Sequence, residues 1–210
     1  MNKNIKLIIF DLDGVLINSF TNMRIALKRL SFYLKEKIDF NIYKENIGLP
    51  FEKIMQNMKI KGDHKKIKEK YIKFSEQNLK KIKISKNNLK ILRRIKKYHK
   101  LAIFTSKDRK RTLKILKKYN LFNTYITADD VINGKPNPEG LLKIIKKFKV
   151  EKKNCYYVGD TIYDFYAAKN AKINYLHASW GLTKKIKIRR IRYIKTLAAI
   201  KKIVEEINSV

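Results

Sequence analysis

Apolar residues in this chain follow two rhythms. Short, unbroken runs occupy Lys6 to Phe10, Leu101 to Phe104, Thr124 to Ile126 and Cys155 to Val158, and each reads as a buried strand. Polar residues close every run: Asp11-Leu12-Asp13-Gly14, Thr105-Ser106, Asp129-Asp130 and Gly159-Asp160. Between the runs the apolar spacing turns helical, as in Leu89, Leu92 and Ile95 or Leu113 and Leu116. Strand and helix in alternation predict a parallel sheet covered on both faces, the α/β, Rossmann-like class. Ile186 to Ile194 alternates as a last strand, and Leu197 to Ile207 carries a final helical stripe.

One stretch breaks this alternation. From about residue 20 to residue 83 the spacing predicts helices over Met23 to Leu34, Phe51 to Met58 and Lys65 to Leu79, interrupted at Gly48-Leu49-Pro50 and Gly62-Asp63. The expected organisation is an α/β core built from residues 1–17 and 84–210, with an α-helical cap, residues 18–83, inserted after the first strand. No internal repeat and no low-complexity linker beyond a lysine bias is visible.

Composition changes this picture little. With 210 residues, 44% of them hydrophobic, the chain can bury a sizeable core. Its 51 Lys+Arg against 18 Asp+Glu give +33, which raises nucleic acid or an anionic surface as a partner. Lysine, however, outnumbers arginine several-fold and is spread along the chain, whereas readers of nucleic acid use clustered arginine and stacking aromatics. The charge therefore argues for steering of small anions rather than for nucleic-acid binding. Cys155 stands alone and excludes an internal disulfide. Leu7 to Phe10 is too short and too quickly followed by acids to be a signal peptide or a membrane span, so a cytoplasmic protein without a membrane partner is expected.

The candidate chemistry lies at the strand ends, where open parallel sheets gather their sites. Asp11 and Asp13 are two acids just past a strand, with Gly14 allowing a tight bend. Neighbouring carboxylates repel, and a divalent cation would keep them charged. Asp160 and Asp164 repeat the arrangement, the second near a helix start, and hard oxygen ligands of this kind suit magnesium. Thr105 and Ser106 offer a hydroxyl and backbone N–H groups that could hold a phosphate. Lys135 differs from the other lysines because Pro136 and Pro138 restrain the loop that carries it.

Asp11-Leu12-Asp13-Gly14-Val15-Leu16, Phe104-Thr105-Ser106, Lys135-Pro136-Asn137-Pro138 and Gly159-Asp160-Thr161-Ile162-Tyr163-Asp164 resemble, in order, the four motifs of the haloacid dehalogenase (HAD) superfamily. The resemblance spans nearly the whole chain and points to the phosphoglycolate phosphatase-like and β-phosphoglucomutase-like subgroup with a helical cap. It implies a magnesium-dependent phosphatase of a small phosphorylated metabolite, acting as a monomer or homodimer. Asp11 would be the nucleophile and Asp13 the general acid and base. Magnesium would sit on Asp11, the Asp13 carbonyl and Asp160, with Asp164 as a direct or water-mediated ligand; Thr105, Ser106 and Lys135 would grip the phosphoryl group. Gly48-Leu49-Pro50 resembles the turn in caps of the phosphoglycolate phosphatase-like members, whereas Asn18-Ser19 departs from their usual Asp-Ser.

Two other readings remain open on sequence. A sugar phosphomutase of the β-phosphoglucomutase kind shares the four motifs, although no arginine follows Gly48. A polyanion-binding protein could use the basic run from Lys184 to Arg192, whose alternating Ile residues also fit a charged edge strand. His64, His99 and His177 show no ligand-like spacing, Tyr156, Tyr157 and Tyr163 are expected to pack the sheet, and Trp180 is expected to pack near its end.

Overall fold

The computed structural model describes residues 5–182, 186 and 188–206. Its centre is a six-stranded sheet made of β1 (Leu7–Phe10), β2 (Lys100–Phe104), β3 (Thr124–Ile126), β4 (Cys155–Gly159), β5 (Asn174–Ala178) and β6 (Arg192–Ile194). The spatial order is β3-β2-β1-β4-β5-β6, and every pairing is parallel. Helices α5 (Lys86–Lys96), α6 (Arg109–Leu116), α7 (Glu139–Phe148), α8 (Ile162–Ala171) and α9 (Ala198–Glu206) complete the α/β part, while α1 (Phe20–Leu34), α2 (Phe40–Glu45), α3 (Phe51–Asn57) and α4 (His64–Glu76) lie between β1 and α5 in the chain.

The strands carry unbroken apolar runs because both faces of the sheet are buried. Ile8 and Phe10 turn to one side, with Ile103 and Val158, and pack under Leu92 and Ile95 of α5, Ile115 of α6 and Ile200 of α9. Leu7 and Ile9 turn to the other, with Phe104, Cys155 and Tyr157, and meet Leu141 and Ile144 of α7 and the alanines of α8. Small residues on α8, namely Ala167, Ala168 and Ala171, let that helix lie close to the sheet. Side-chain oxygens start the helices: Asp63 for α4, Ser85 for α5, Asp108 for α6 and Thr161 for α8 each accept a backbone N–H of the first turn.

Helices α1 to α4 form a layer with its own apolar centre: Met23, Leu27 and Leu30 against Ile54, Met55, Ile67 and Tyr71. Phe51 stacks on Tyr71 with ring centroids 4.7 Å apart. Polar bridges join this layer to the sheet side. Ser106 Oγ donates to the Gly48 carbonyl at 2.6 Å, Arg111 Nη1 donates to Ser75 Oγ at 2.9 Å, and Lys114 reaches Glu76 at 3.0 Å.

Two elements differ from the sequence expectation. Helix α2 is not foreseen; at six residues it is too short to show a stripe, and Asp39 starts it by accepting from the Asn41 amide at 2.7 Å. The strand expected over Ile186 to Ile194 is cut to Arg192–Ile194, because Arg189 and Arg190 form a turn with Arg190 at φ +62°. Lys184, Lys185 and Lys187 of the basic run lie outside the described residues, as does Ile207 beyond α9. Among the described residues no helix is long and apolar enough to cross a membrane.

Leu30 and Phe32 sit two positions apart on α1 yet differ sharply, at 0% and 88% exposure. Leu30→Ala should lower stability by about 2–5 kcal/mol, whereas Phe32→Ala should stay within about 0.5 kcal/mol of the parent. Urea denaturation of the two variants checks this; equal effects would contradict the packing of the helical layer.

Candidate active site

Asp11 is placed by the sheet itself. Its amide donates to the Val158 carbonyl at 2.9 Å, extending the β1–β4 ladder one residue past β1. The chain then turns tightly: Leu16 and Ile17 both donate to the Leu12 carbonyl, and the Gly14 amide donates back to Ile17 at 2.8 Å. Gly14 adopts φ +86°, and a Cβ there would stand 2.2 Å from Asp160 Oδ2. Only glycine meets both the positive φ and the close approach. The turn thus lets Asp160, at the end of β4, lie directly against the Asp11 loop.

Asp164 sits at the third position of α8 in a reciprocal cap with Thr161. Its Oδ2 accepts from the Asp160 and Thr161 amides and the Thr161 hydroxyl, at 2.6 to 3.2 Å. Its Oδ1 accepts from the Tyr157 hydroxyl and from Lys135 Nζ, both at 2.7 Å. Lys135 arrives on the loop before α7, where Glu139 braces the backbone by accepting the Ile132 and Asn133 amides. Besides Asp164, the lysine donates to Asp11 Oδ1 at 2.7 Å and to the Tyr157 oxygen at 3.0 Å.

Asp11, Asp160 and Asp164 are all buried, and each offers a carboxylate oxygen within 4.8 Å of the others. Three carboxylates face one ammonium, so negative charge is left over in a region with little water. Burial pushes the Asp11 carboxyl up to about 7, with Lys135 opposing and Asp164 adding to the rise. Burial, then Asp164 and Asp11, drives Asp160 well above the carboxylate range. Although burial works against it, Lys135 holds Asp164 below the usual range, and Asp11 and Asp164 in turn hold Lys135 above the usual lysine value. Asp160 spends Oδ2 on the Leu182 amide, while its buried Oδ1 has no hydrogen-bond partner. An orphaned carboxylate oxygen beside two more carboxylates fits a hard divalent cation.

Asp13 points elsewhere. Its carboxylate accepts from the Ser19 hydroxyl and pairs with Lys107 Nζ at 3.0 Å. Asp11, Asp13, Thr105, Ser106 and Lys135 nonetheless line one cavity of about 50 Å³, between the strand ends and the Gly48 turn of the helical layer. Asp160 and Asp164 lie behind Asp11 in the acidic cluster. The sequence-predicted residues therefore divide into a cavity-facing group and a buried acidic group that share Asp11. The Thr105 hydroxyl accepts the Lys107 amide at 3.2 Å, and the Ser106 hydroxyl is committed to Gly48.

Four residues at the site were not foreseen. Lys107 and Arg111 enter the cavity from β2's trailing loop and the first turn of α6. Among 51 Lys+Arg they carried no distinguishing signal, although Lys107 directly follows Thr105-Ser106. Ser19 holds Asp13. Tyr157, expected to pack the sheet, does so with its ring while its hydroxyl reaches Lys135 and Asp164. Trp180 packs as expected, and its indole N–H donates to the Val15 carbonyl at 2.9 Å.

Residues 8–178 match the family of haloacid dehalogenase-like hydrolases. A pyrophosphatase PpaX from Halalkalibacterium halodurans is 31% identical over 180 residues, covering 80% of this chain and 81% of that protein. A pyrophosphatase PpaX from Bacillus cereus is 30% identical over 85% of each chain. Among solved structures, a predicted phosphoglycolate phosphatase from Haemophilus somnus superposes with a TM-score of 0.79 at 22% identity, covering 97% of this chain and 99% of that one, a likeness of fold.

Gly14 and Gly62 both have positive φ, but a Cβ at Gly62 would meet nothing nearer than 3.6 Å. Gly62→Ala should cost about 1 kcal/mol of backbone strain, whereas Gly14→Ala should cost clearly more and displace Asp160. Thermal unfolding of both variants measures the difference; an equal loss would show that Asp160 does not press on the turn.

Proposed function

Because this chain is an enzyme of the haloacid dehalogenase-like hydrolase family, we propose that it is a magnesium-dependent phosphatase working through an aspartyl-phosphate intermediate. The observation that carries the reading is the division of labour between Asp11 and Asp13, the two carboxylates facing the cavity. One lies in the acidic cluster beside Lys135, and the other is held apart by Ser19 and Lys107. A nucleophile and a proton carrier need such different settings.

In the first step an Asp11 oxygen attacks phosphorus and the bond to the leaving oxygen breaks, with Asp13 giving that oxygen a proton. In the second, water attacks the phosphorus of the acyl phosphate. Asp13 takes the water's proton and the Asp11 carboxylate is released. Both events need Asp13 to change its proton at the same place, and the Ser19 and Lys107 contacts hold its carboxylate for that exchange. Lys135 steadies Asp11 and the charge that gathers on the phosphoryl oxygens. Thr105 and the Ser106 backbone N–H bind those oxygens.

Asp11, Asp160 and the Asp13 carbonyl would hold magnesium, with Asp164 ordering the cluster from behind. Bound there, the ion supplies positive charge that offsets repulsion between nucleophile and phosphate. Residues 18–83 act as a cap in this reading, closing the cavity against water through the Gly48 turn. The activity named for the relatives, pyrophosphatase, favours a small phosphate compound.

Asp11→Asn should abolish phosphate release, by about 10³-fold or more, while leaving the circular dichroism and melting curve near those of the parent. Chelation of divalent ions should silence the parent enzyme, and added magnesium should restore it. A colorimetric phosphate assay over a panel of small phosphate compounds measures all three. Near-normal turnover by the Asn variant would refute the nucleophile assignment.

A further inference from the structure

Arg190 and Arg192 have no part in the phosphatase chemistry, yet the fold brings them to one place. Arg190 stands on the turn that leads into β6, and Arg192 opens that strand. With Lys169 from the last turn of α8 they line a cleft of about 380 Å³ at the amino ends of β4, β5 and β6. Phe165, Ile173, Tyr175 and Ile191 give the cleft aromatic and aliphatic walls. The catalytic groups lie at the other ends of the strands. Asp160 comes four residues after Tyr156, another residue of the wall, a rise of about 13 Å along β4.

This cleft differs from the lysine-rich surface in general. Lysine outnumbers arginine several-fold in the chain, but two of the three cations in the cleft are arginines, whose planar forks match phosphoryl oxygens in pairs. No carboxylate stands among its described lining residues, so acids in the wall do not offset the charge. Arg190 holds φ +62° on the way into a strand, whereas Lys35, Lys149 and Lys172 adopt positive φ where helices end. A left-handed backbone at an arginine is strained, and strain of this kind collects where a side chain must be aimed.

Tyr156 adds an independent sign. It is 2% exposed, and its hydroxyl has no hydrogen-bond partner among the described residues. Burial raises the phenol above its ordinary value while the Arg192 charge opposes the rise, which leaves a protonated donor within electrostatic reach of that guanidinium. Buried donors are nearly always satisfied in folded proteins. A ligand seated in the cleft brings acceptors to the wall that Tyr156 helps to form.

We propose that the cleft is a second ligand site that takes a nucleoside diphosphate, its phosphoryl groups held by Arg190, Arg192 and Lys169 and its base resting on Phe165 and Tyr175. The volume lies within the range of small-molecule sites. An inorganic anion would engage the cations and leave the walls bare, and an uncharged ring would do the reverse. Two phosphoryl groups answer three cations better than one does. Phe165 and Tyr175 pack edge to face with centroids 5.6 Å apart, and both stay partly exposed. Aromatic rings stack with any base, so the cleft selects a nucleotide rather than one particular base. Occupancy needs neither Asp11 nor magnesium, and the site stands or falls separately from the catalytic reading.

Calorimetric titration of the whole protein without divalent ions tests this with three probes: adenosine 5′-(α,β-methylene)diphosphate, methylenediphosphonate and adenosine. They carry ring and anion together, the anion alone and the ring alone, and the methylene bridge resists hydrolysis. The nucleotide analogue should bind at least about tenfold more tightly than either fragment, and equally to the parent and to Asp11→Asn. Arg192→Met should weaken it by about tenfold or more, and Arg192→Lys should recover part of the loss. Arg190→Gly, which suits the positive φ, should weaken it by a similar factor while keeping the parent's melting temperature. The inference is overturned by an analogue that fails to bind, that binds no better than methylenediphosphonate, that loses its affinity in Asp11→Asn, or that binds the arginine variants as it binds the parent.

Discussion

Three buried carboxylates within reach of one another, two of them paired with a single lysine ammonium, set the terms for the rest of this structure. Such a group is tolerable only when nearly every oxygen and proton has a partner. The fold meets the demand from several directions at once. β1 contributes Asp11, the end of β4 Asp160, the first turn of α8 Asp164, and the loop before α7 Lys135. Tyr157 closes the arrangement from within the sheet. Among the described residues the buried Asp160 Oδ1 is the cluster's carboxylate oxygen left without a hydrogen-bond partner, beside two more carboxylates, a donor set that suits a small hard cation.

The second organising feature is the boundary between the helical layer and the strand ends. Its contacts combine polar bridges, a serine hydroxyl on a glycine carbonyl, an arginine on a serine and lysines on a glutamate, with apolar packing of Tyr163 and Leu182 on the layer. Boundaries of this kind separate at lower cost than packed apolar surfaces do. Most apolar residues of the layer pack among themselves. Each side of the seam thus has an apolar cluster of its own.

Much of this was readable in the sequence, for reasons that differ from place to place. The unbroken runs at Leu7 to Phe10 and Cys155 to Val158 announced strands buried on both faces, and the acids after them announced where chemistry collects. Asp11, Asp13, Asp160, Asp164 and Lys135 could be singled out because each is tied to a turn, a helix start or a proline-restrained loop. Lys107 and Arg111 could not, since a cation gains meaning only from what it faces, and that is a property of the folded chain. Tyr157 was opaque for a related reason. A buried strand tyrosine has the same local pattern whether its hydroxyl is idle or joins a network. β6 was overestimated because alternation of Ile with basic residues continues through Arg190, where the backbone turns away.

Strand order carries a consequence for how the chain comes together. β1 occupies the middle of the sheet, with Leu7 opposite Lys100 on one side and Cys155 on the other. During synthesis the strand that leads into Asp11 emerges well before both of its neighbours, which lie far down the chain. Helices α1 to α4, whose contacts are local, can gather their own core in the meantime. An apolar strand left waiting in this way is the segment most exposed to wrong partners. The residues flanking it, Lys6 before and Asp11 with Asp13 after, place charge at both ends of that strand, so the acids that serve the site also guard the strand against association until the sheet can close around it.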